Sequence, residues 1–180
     1  VPVAGELNLP VAMRYIFPHA PMRPVTVNGG FVMRAWYDIA GQNIGAQQDA
    51  AGIRASQAAI EALIAQEIAD GIAPGNLFLA GFSQGGAIAL HTALRQKSPI
   101  GGVLALSTYL PLADSVPDEM QANSTASPIF MAHGLDDPVV PYSLGAASKD
   151  TLMDLGYAVT WRDYAMGHSV CEEELRDIEA

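Results

Sequence analysis

Asn76-Leu77-Phe78-Leu79-Ala80-Gly81-Phe82-Ser83-Gln84-Gly85-Gly86 opens on a continuous apolar run and turns through glycines around a serine. A short apolar run bounded by turn residues reads as a strand buried on both faces, here 76–80. The Ala-rich stretch from Gly86 to Arg95 reads as the following helix. Between them, Gly81-Phe82-Ser83-Gln84-Gly85 has the form G-x-S-x-G, which is common by chance but carries chemistry when it joins a strand to a helix. Such an elbow forces the serine into strained backbone geometry, and its glycines make room for the neighbouring chain. The hydroxyl then sits at a helix N-terminus, where developing negative charge is favoured. The bland alternative is a tight strand-to-helix turn with no catalytic role.

Working outward, short apolar runs alternate with helical periods. Tyr15-Ile16-Phe17 reads as a short buried strand stopped by Pro18, and 21–45 as a long irregular excursion punctuated by prolines and glycines. Ile53, Ile60, Leu63, Ile64 and Ile68 recur at helical spacing over 49–70, with Gly71 as the stop. Buried strands are expected at 103–106 and 129–132, a helix at 143–155, a strand at 157–164, and a final helix with Glu172-Glu173-Glu174 in its first turn. Strand and helix in alternation imply one α/β domain over 1–180, with a mostly parallel sheet covered by helices on both faces.

Composition narrows the function. Nine basic against nineteen acidic residues leave a net charge of −10, which argues against nucleic-acid and anionic-membrane partners. No stretch approaches the roughly 20 apolar residues of a membrane span, so no stable membrane insertion is expected. The one cysteine, Cys171, permits no internal disulfide and no multi-cysteine metal site, and it fits a cytoplasmic protein.

A serine hydroxyl becomes nucleophilic only when a base takes its proton and an acid holds that base in one tautomer. Of the histidines after Ser83, His91 falls inside the following helix and His133 ends a strand, where such a residue usually braces a loop. His168 sits in a loop after the last strand, where the base belongs. Asp136 and Asp137 are both candidates for the acid, and the residues alone do not separate them. Asp163, within a strand, is a weaker candidate; Ser169 and Glu172 read as caps of the final helix. Cys171 lies three residues past His168 but has neither an elbow nor cations around it to make a reactive thiol.

At these residues the chain resembles the bacterial carboxylesterase and acyl-protein thioesterase (lysophospholipase-like) family of small α/β-hydrolases. The resemblance rests on Phe17-Pro18-His19-Ala20-Pro21, Pro24-Val25-Thr26-Val27-Asn28-Gly29-Gly30, Trp36-Tyr37-Asp38, the elbow, Leu106-Ser107-Thr108-Tyr109-Leu110-Pro111, His133-Gly134 through Pro141, and Gly167-His168. It implies Asp137 as the acid and leaves His133 structural. It implies the Gln84 backbone N–H as an oxyanion donor, with Met33, Trp36 and Leu110 bordering an apolar acyl pocket. It further implies hydrolysis of a small-molecule ester or acyl substrate without metal or organic cofactor, and pairing as a homodimer as several family members do.

The family's His-Gly-x-Gly loop, which supplies a second oxyanion N–H ahead of this chain's first residue, has no counterpart here. The chain is therefore expected to be part of a longer protein, with a sheet open where that neighbouring strand would lie. The leading expectation is a serine carboxylesterase. A thioesterase or lysophospholipase acting on long-chain acyl groups is the near alternative, told apart by substrate preference. A non-catalytic binding domain is the distant one, told apart by an unreactive Ser83.

Overall fold

The computed structural model describes residues 2–41 and 44–180. In chain order its elements are α1 (Pro2–Glu6), β1 (Met22–Val25), β2 (Phe31–Arg34), α2 (Ala50–Ala69), β3 (Phe78–Phe82), α3 (Gln84–Ala93), β4 (Gly102–Leu106), α4 (Val116–Glu119), β5 (Ile129–Gly134), α5 (Tyr142–Asp154), β6 (Val159–Tyr164) and α6 (Glu172–Glu179). β3 to β6 form one parallel sheet in sequential order, and β1 and β2 pair antiparallel as a separate hairpin.

Local chemistry explains the boundaries. Asp49 caps α2 by accepting from the Gly52 N–H, and Gly71, at φ 98°, ends it in a conformation that only glycine adopts cheaply. The core lies where β4 and β5 meet α3 and α5: Leu90, Leu94, Val103, Ile129, Met131 and Leu152 are all fully buried or nearly so. Truncating one such side chain to alanine costs about 2–5 kcal/mol. α3 is buried from Gly86 through its C-terminal end, so Gln84, the residue after Ser83, opens an enclosed element.

Between α2, α3 and α4 a carboxylate is clasped by two guanidinium groups. Glu119 accepts from Arg54 and from Arg95, and Arg95 also donates to the His91 carbonyl. These contacts, Arg54 foremost, hold the Glu119 carboxyl down at about 2 against the opposing effect of burial.

The structure departs from the sequence expectations in four places. Tyr15-Ile16-Phe17 forms no strand; all three residues are exposed and the two aromatic rings stack on each other at 6.0 Å. Their residue types favour a strand, but a strand needs a neighbour for its N–H and C=O groups, and none lies alongside. The 21–45 excursion contains the β1–β2 hairpin, turned through Gly29 and Gly30 at positive φ. β3 spans 78–82 rather than 76–80 and is an edge strand with alternating exposure, not one buried on both faces; Phe78 and Phe82 are 48% and 38% exposed. α6 starts after Cys171, and no side chain caps it, neither Ser169 nor Glu172.

Candidate active site

The elbow is built by close approach of backbones. A Cβ on Gly81 would fall 2.2 Å from the Gly85 carbonyl carbon, and one on Gly86 would meet the Gly81 oxygen and the Thr108 side chain at 2.8 Å. Between them Ser83 takes φ 54°, ψ −124°, a strained backbone state for a residue with a side chain. Neighbours hold that strain: the Ser83 N–H donates to the Leu106 carbonyl at 2.9 Å and the Thr108 hydroxyl donates to the Ser83 carbonyl at 2.7 Å. The Ser83 hydroxyl makes no capping bond to α3. Gln84 is the first residue of α3, so its N–H has no partner within the helix and points at the space before it.

His168 and Asp137 meet across two loops at the carboxyl ends of β5 and β6. His168 Nδ1 lies 2.7 Å from Asp137 Oδ2, and the other carboxylate oxygen accepts the N–H groups of Val139 and Val140 at 2.8 and 2.9 Å. Burial by itself pushes the Asp137 carboxyl up; His168 and the two backbone donors outweigh it, so the group lies below the ordinary carboxylate value and stays ionised. Gly134 permits this crossing, since a Cβ there would strike the Gly167 and Met166 carbonyl oxygens at 2.3 and 2.4 Å. The His168 ring packs on Phe82, the residue before Ser83, with centroids 4.6 Å apart. The His168–Asp137 pair lies beyond the carboxyl ends of β5 and β6 and reaches the elbow through the Phe82 ring.

The side chains of Asp136, Asp163 and His91 make no hydrogen bond to this pair, whereas His133 lies beside Asp137. Asp136 is exposed, and Asp163 on β6 accepts from Tyr142 and Trp161. His91 is fully buried in α3, with burial pulling its pKa down to about 4. Among the described residues, no three His, Cys, Asp or Glu side chains group as a metal site would require.

The three residues expected to border the acyl group lie at different places in the fold. The Trp36 indole nitrogen faces Gly85 beside the elbow, while Met33 is 37% exposed on the hairpin. Leu110 is buried and lines a cavity of about 470 Å³ together with Gln48, Tyr109, Leu112, Leu144 and Ser148. Two contributions escaped the sequence reading. The Gln84 side chain clamps the loop beside the elbow, accepting from the Trp36 N–H and donating to the Tyr37 carbonyl. Thr108 braces the elbow itself, and its place in the Leu106–Pro111 motif was the only signal.

The family model for phospholipases and carboxylesterases matches residues 6–180. The chain belongs to that family. It is 44% identical to acyl-protein thioesterase 1 of Neurospora crassa and 41% identical to acyl-protein thioesterase 1 of Gibberella zeae, each over 93% of this chain and over 71% and 75% of the relative. Among solved structures, a variant of Arabidopsis thaliana SOBER1 superposes with TM-score 0.93 at 33% identity, covering 99% of this chain and 88% of the other. Zea mays acyl-protein thioesterase 2 gives TM-score 0.79 at 29% identity, covering 89% and 76%. The phospholipase/carboxylesterase family member described here has the α/β-hydrolase fold and is a hydrolase. Among its described residues, no helix is long and apolar enough to cross a membrane.

Proposed function

We propose that this hydrolase is an acyl-protein thioesterase, a cytoplasmic enzyme that cleaves long-chain acyl groups from cysteine thiols through Ser83, His168 and Asp137. The names of the two fungal relatives favour this reading over the soluble-ester carboxylesterase that the sequence put first. The observation that carries the mechanism is the 2.7 Å contact between His168 Nδ1 and Asp137 Oδ2, next to a serine held at positive φ.

Ser83 Oγ attacks the thioester carbonyl carbon as His168 Nε2 takes its proton, and ionised Asp137 stabilises the imidazolium. Charge developing on the carbonyl oxygen is met by the Gln84 N–H at the start of α3. The C–S bond breaks, the thiolate leaves with the proton from His168, and the acyl group stays on Ser83 as an ester. Water then attacks the acyl carbon and gives a proton to His168; as the ester C–O bond breaks, His168 passes that proton to Ser83 Oγ, which releases the carboxylic acid and restores the serine hydroxyl. Trp36 and Met33 border the acyl chain on the hairpin side.

The test compares kcat/KM for a long-chain S-acyl peptide and a short soluble ester, alongside labelling by a fluorophosphonate. Preference for the thioester, an adduct on Ser83, and a fall of about 10⁶ in kcat for Ser83→Ala are expected. Preference for the short ester would restore the carboxylesterase reading; activity surviving in Ser83→Ala would overturn both.

A further inference from the structure

His133 is fully buried at the end of β5, yet it is poorly suited to be mere filling. Its Nδ1 has no hydrogen-bond partner and packs against Gly145 of α5, where a Cβ would fall 2.4 Å away. An apolar ring would occupy the same space without stranding a buried nitrogen. The useful atom is Nε2, which lies 2.9 Å from the Val140 carbonyl oxygen. With an acceptor at that end and none at the other, the ring proton sits on Nε2.

Val140 connects this donor to the acid. Its N–H donates to Asp137 Oδ1 while its carbonyl accepts from His133, so the ring anchors the 137–140 turn that presents the carboxylate. His133 Nε2 is also 3.6 Å from Asp137 Oδ2, the oxygen that His168 uses. That is too long for a hydrogen bond but close enough for the N–H dipole to favour the carboxylate's present orientation. The ring is fixed from both sides, stacked on Trp161 of β6 at 6.1 Å and met edge-on by Tyr142 of α5 at 6.0 Å. The other ionisable groups facing this assembly are occupied: the Asp163 carboxylate accepts from Tyr142 and Trp161, and Lys149 lies over the Trp161 ring.

We propose that His133 is a positioning residue: its Nε2–H fixes the 137–140 turn so that Asp137 keeps Oδ2 on His168. The proposal rests on the reading of Asp137 and His168 as the catalytic pair. A residue that only fills space would affect stability; this one sets the His168–Asp137 bond and hence turnover.

The experiment follows the downfield ring-proton NMR signal of His168 Nδ1–H, which needs no turnover, together with kcat and KM, in wild type, His133→Gln, His133→Phe and Asp137→Ala. Glutamine places an N–H near the Nε2 position. It is expected to retain the signal and most of kcat. Phenylalanine is expected to lose the signal and about 10²-fold in kcat with KM unchanged. Should the Phe variant fail to fold, His133→Asn, whose amide falls short of Val140, carries the same comparison. A folded Phe or Asn variant with wild-type signal and kcat overturns the proposal. No signal in wild type, or a signal surviving Asp137→Ala, overturns the underlying pairing instead.

Discussion

At Gly81 a single methyl group decides whether the elbow can close. In Gly81→Ala the new Cβ would meet only backbone, 2.2 Å from Gly85 C and 2.4 Å from Gly86 N, so no side chain can swing aside. We expect a stability loss of about 1–3 kcal/mol and a fall of about 10²-fold in kcat/KM as Ser83 shifts. Gly85→Ala is the control: its nearest neighbour is the Trp36 indole nitrogen at 3.9 Å, and Tm should hold. Thermal melts and steady-state kinetics on the pair check this. The need for glycine at 81 was legible in the sequence because the motif's spacing encodes the close approach. The choice between Asp136 and Asp137 was not legible from the residues, because two adjacent carboxylates have the same chemistry. The turn separates them: it directs two N–H groups and His168 onto Asp137 and leaves Asp136 in solvent.

Among the elements, α6 shows how an acidic first turn can mislead. Glu172-Glu173-Glu174 reads as an acidic run in the first turn of the final helix, yet Glu174 is fully buried and both its oxygens lack side-chain hydrogen-bond partners. Burial pushes its carboxyl up to about 7, against a smaller opposing pull from the Cys171 backbone. The native state therefore holds a proton that the unfolded chain, with an ordinary value near 4.5, releases. Stability from this group is present at low pH and is lost as pH rises through that window toward and past 7. Glu174→Gln keeps the shape without the ionisation, so its Tm should fall less than wild type between pH 5 and 8 and exceed it at pH 8. Calorimetry at the two pH values decides; parallel curves would mean that Glu174 finds a partner when ionised. Charge at a helix start is visible in sequence, but which of three consecutive glutamates turns inward depends on how α6 packs, through Ile178, against Leu106, Ala132 and Tyr164.

For the molecule as a whole, the order of strands and helices was readable because β3, β4 and β5 are short apolar runs, β6 is rich in β-branched and aromatic residues, and the helices alternate with them. What could not be read was the company each strand keeps. Tyr15-Ile16-Phe17 and Phe78-Leu79-Ala80 have equally strand-like residues, and only the second has a neighbour, on one side. That one-sidedness has a consequence for amide exchange. The Leu77 carbonyl accepts from Gly101 and the Ser83 N–H donates to Leu106, so the odd-numbered peptide groups of β3 face β4. The N–H groups of Phe78, Ala80 and Phe82 therefore face the open edge. In deuterium oxide these three should exchange within the dead time while those of Leu79, Gly81 and Ser83 stay protected. The strand that leads into Ser83 thus labels its own free side, and any chain segment that pairs with it would be detected as protection appearing at alternate residues.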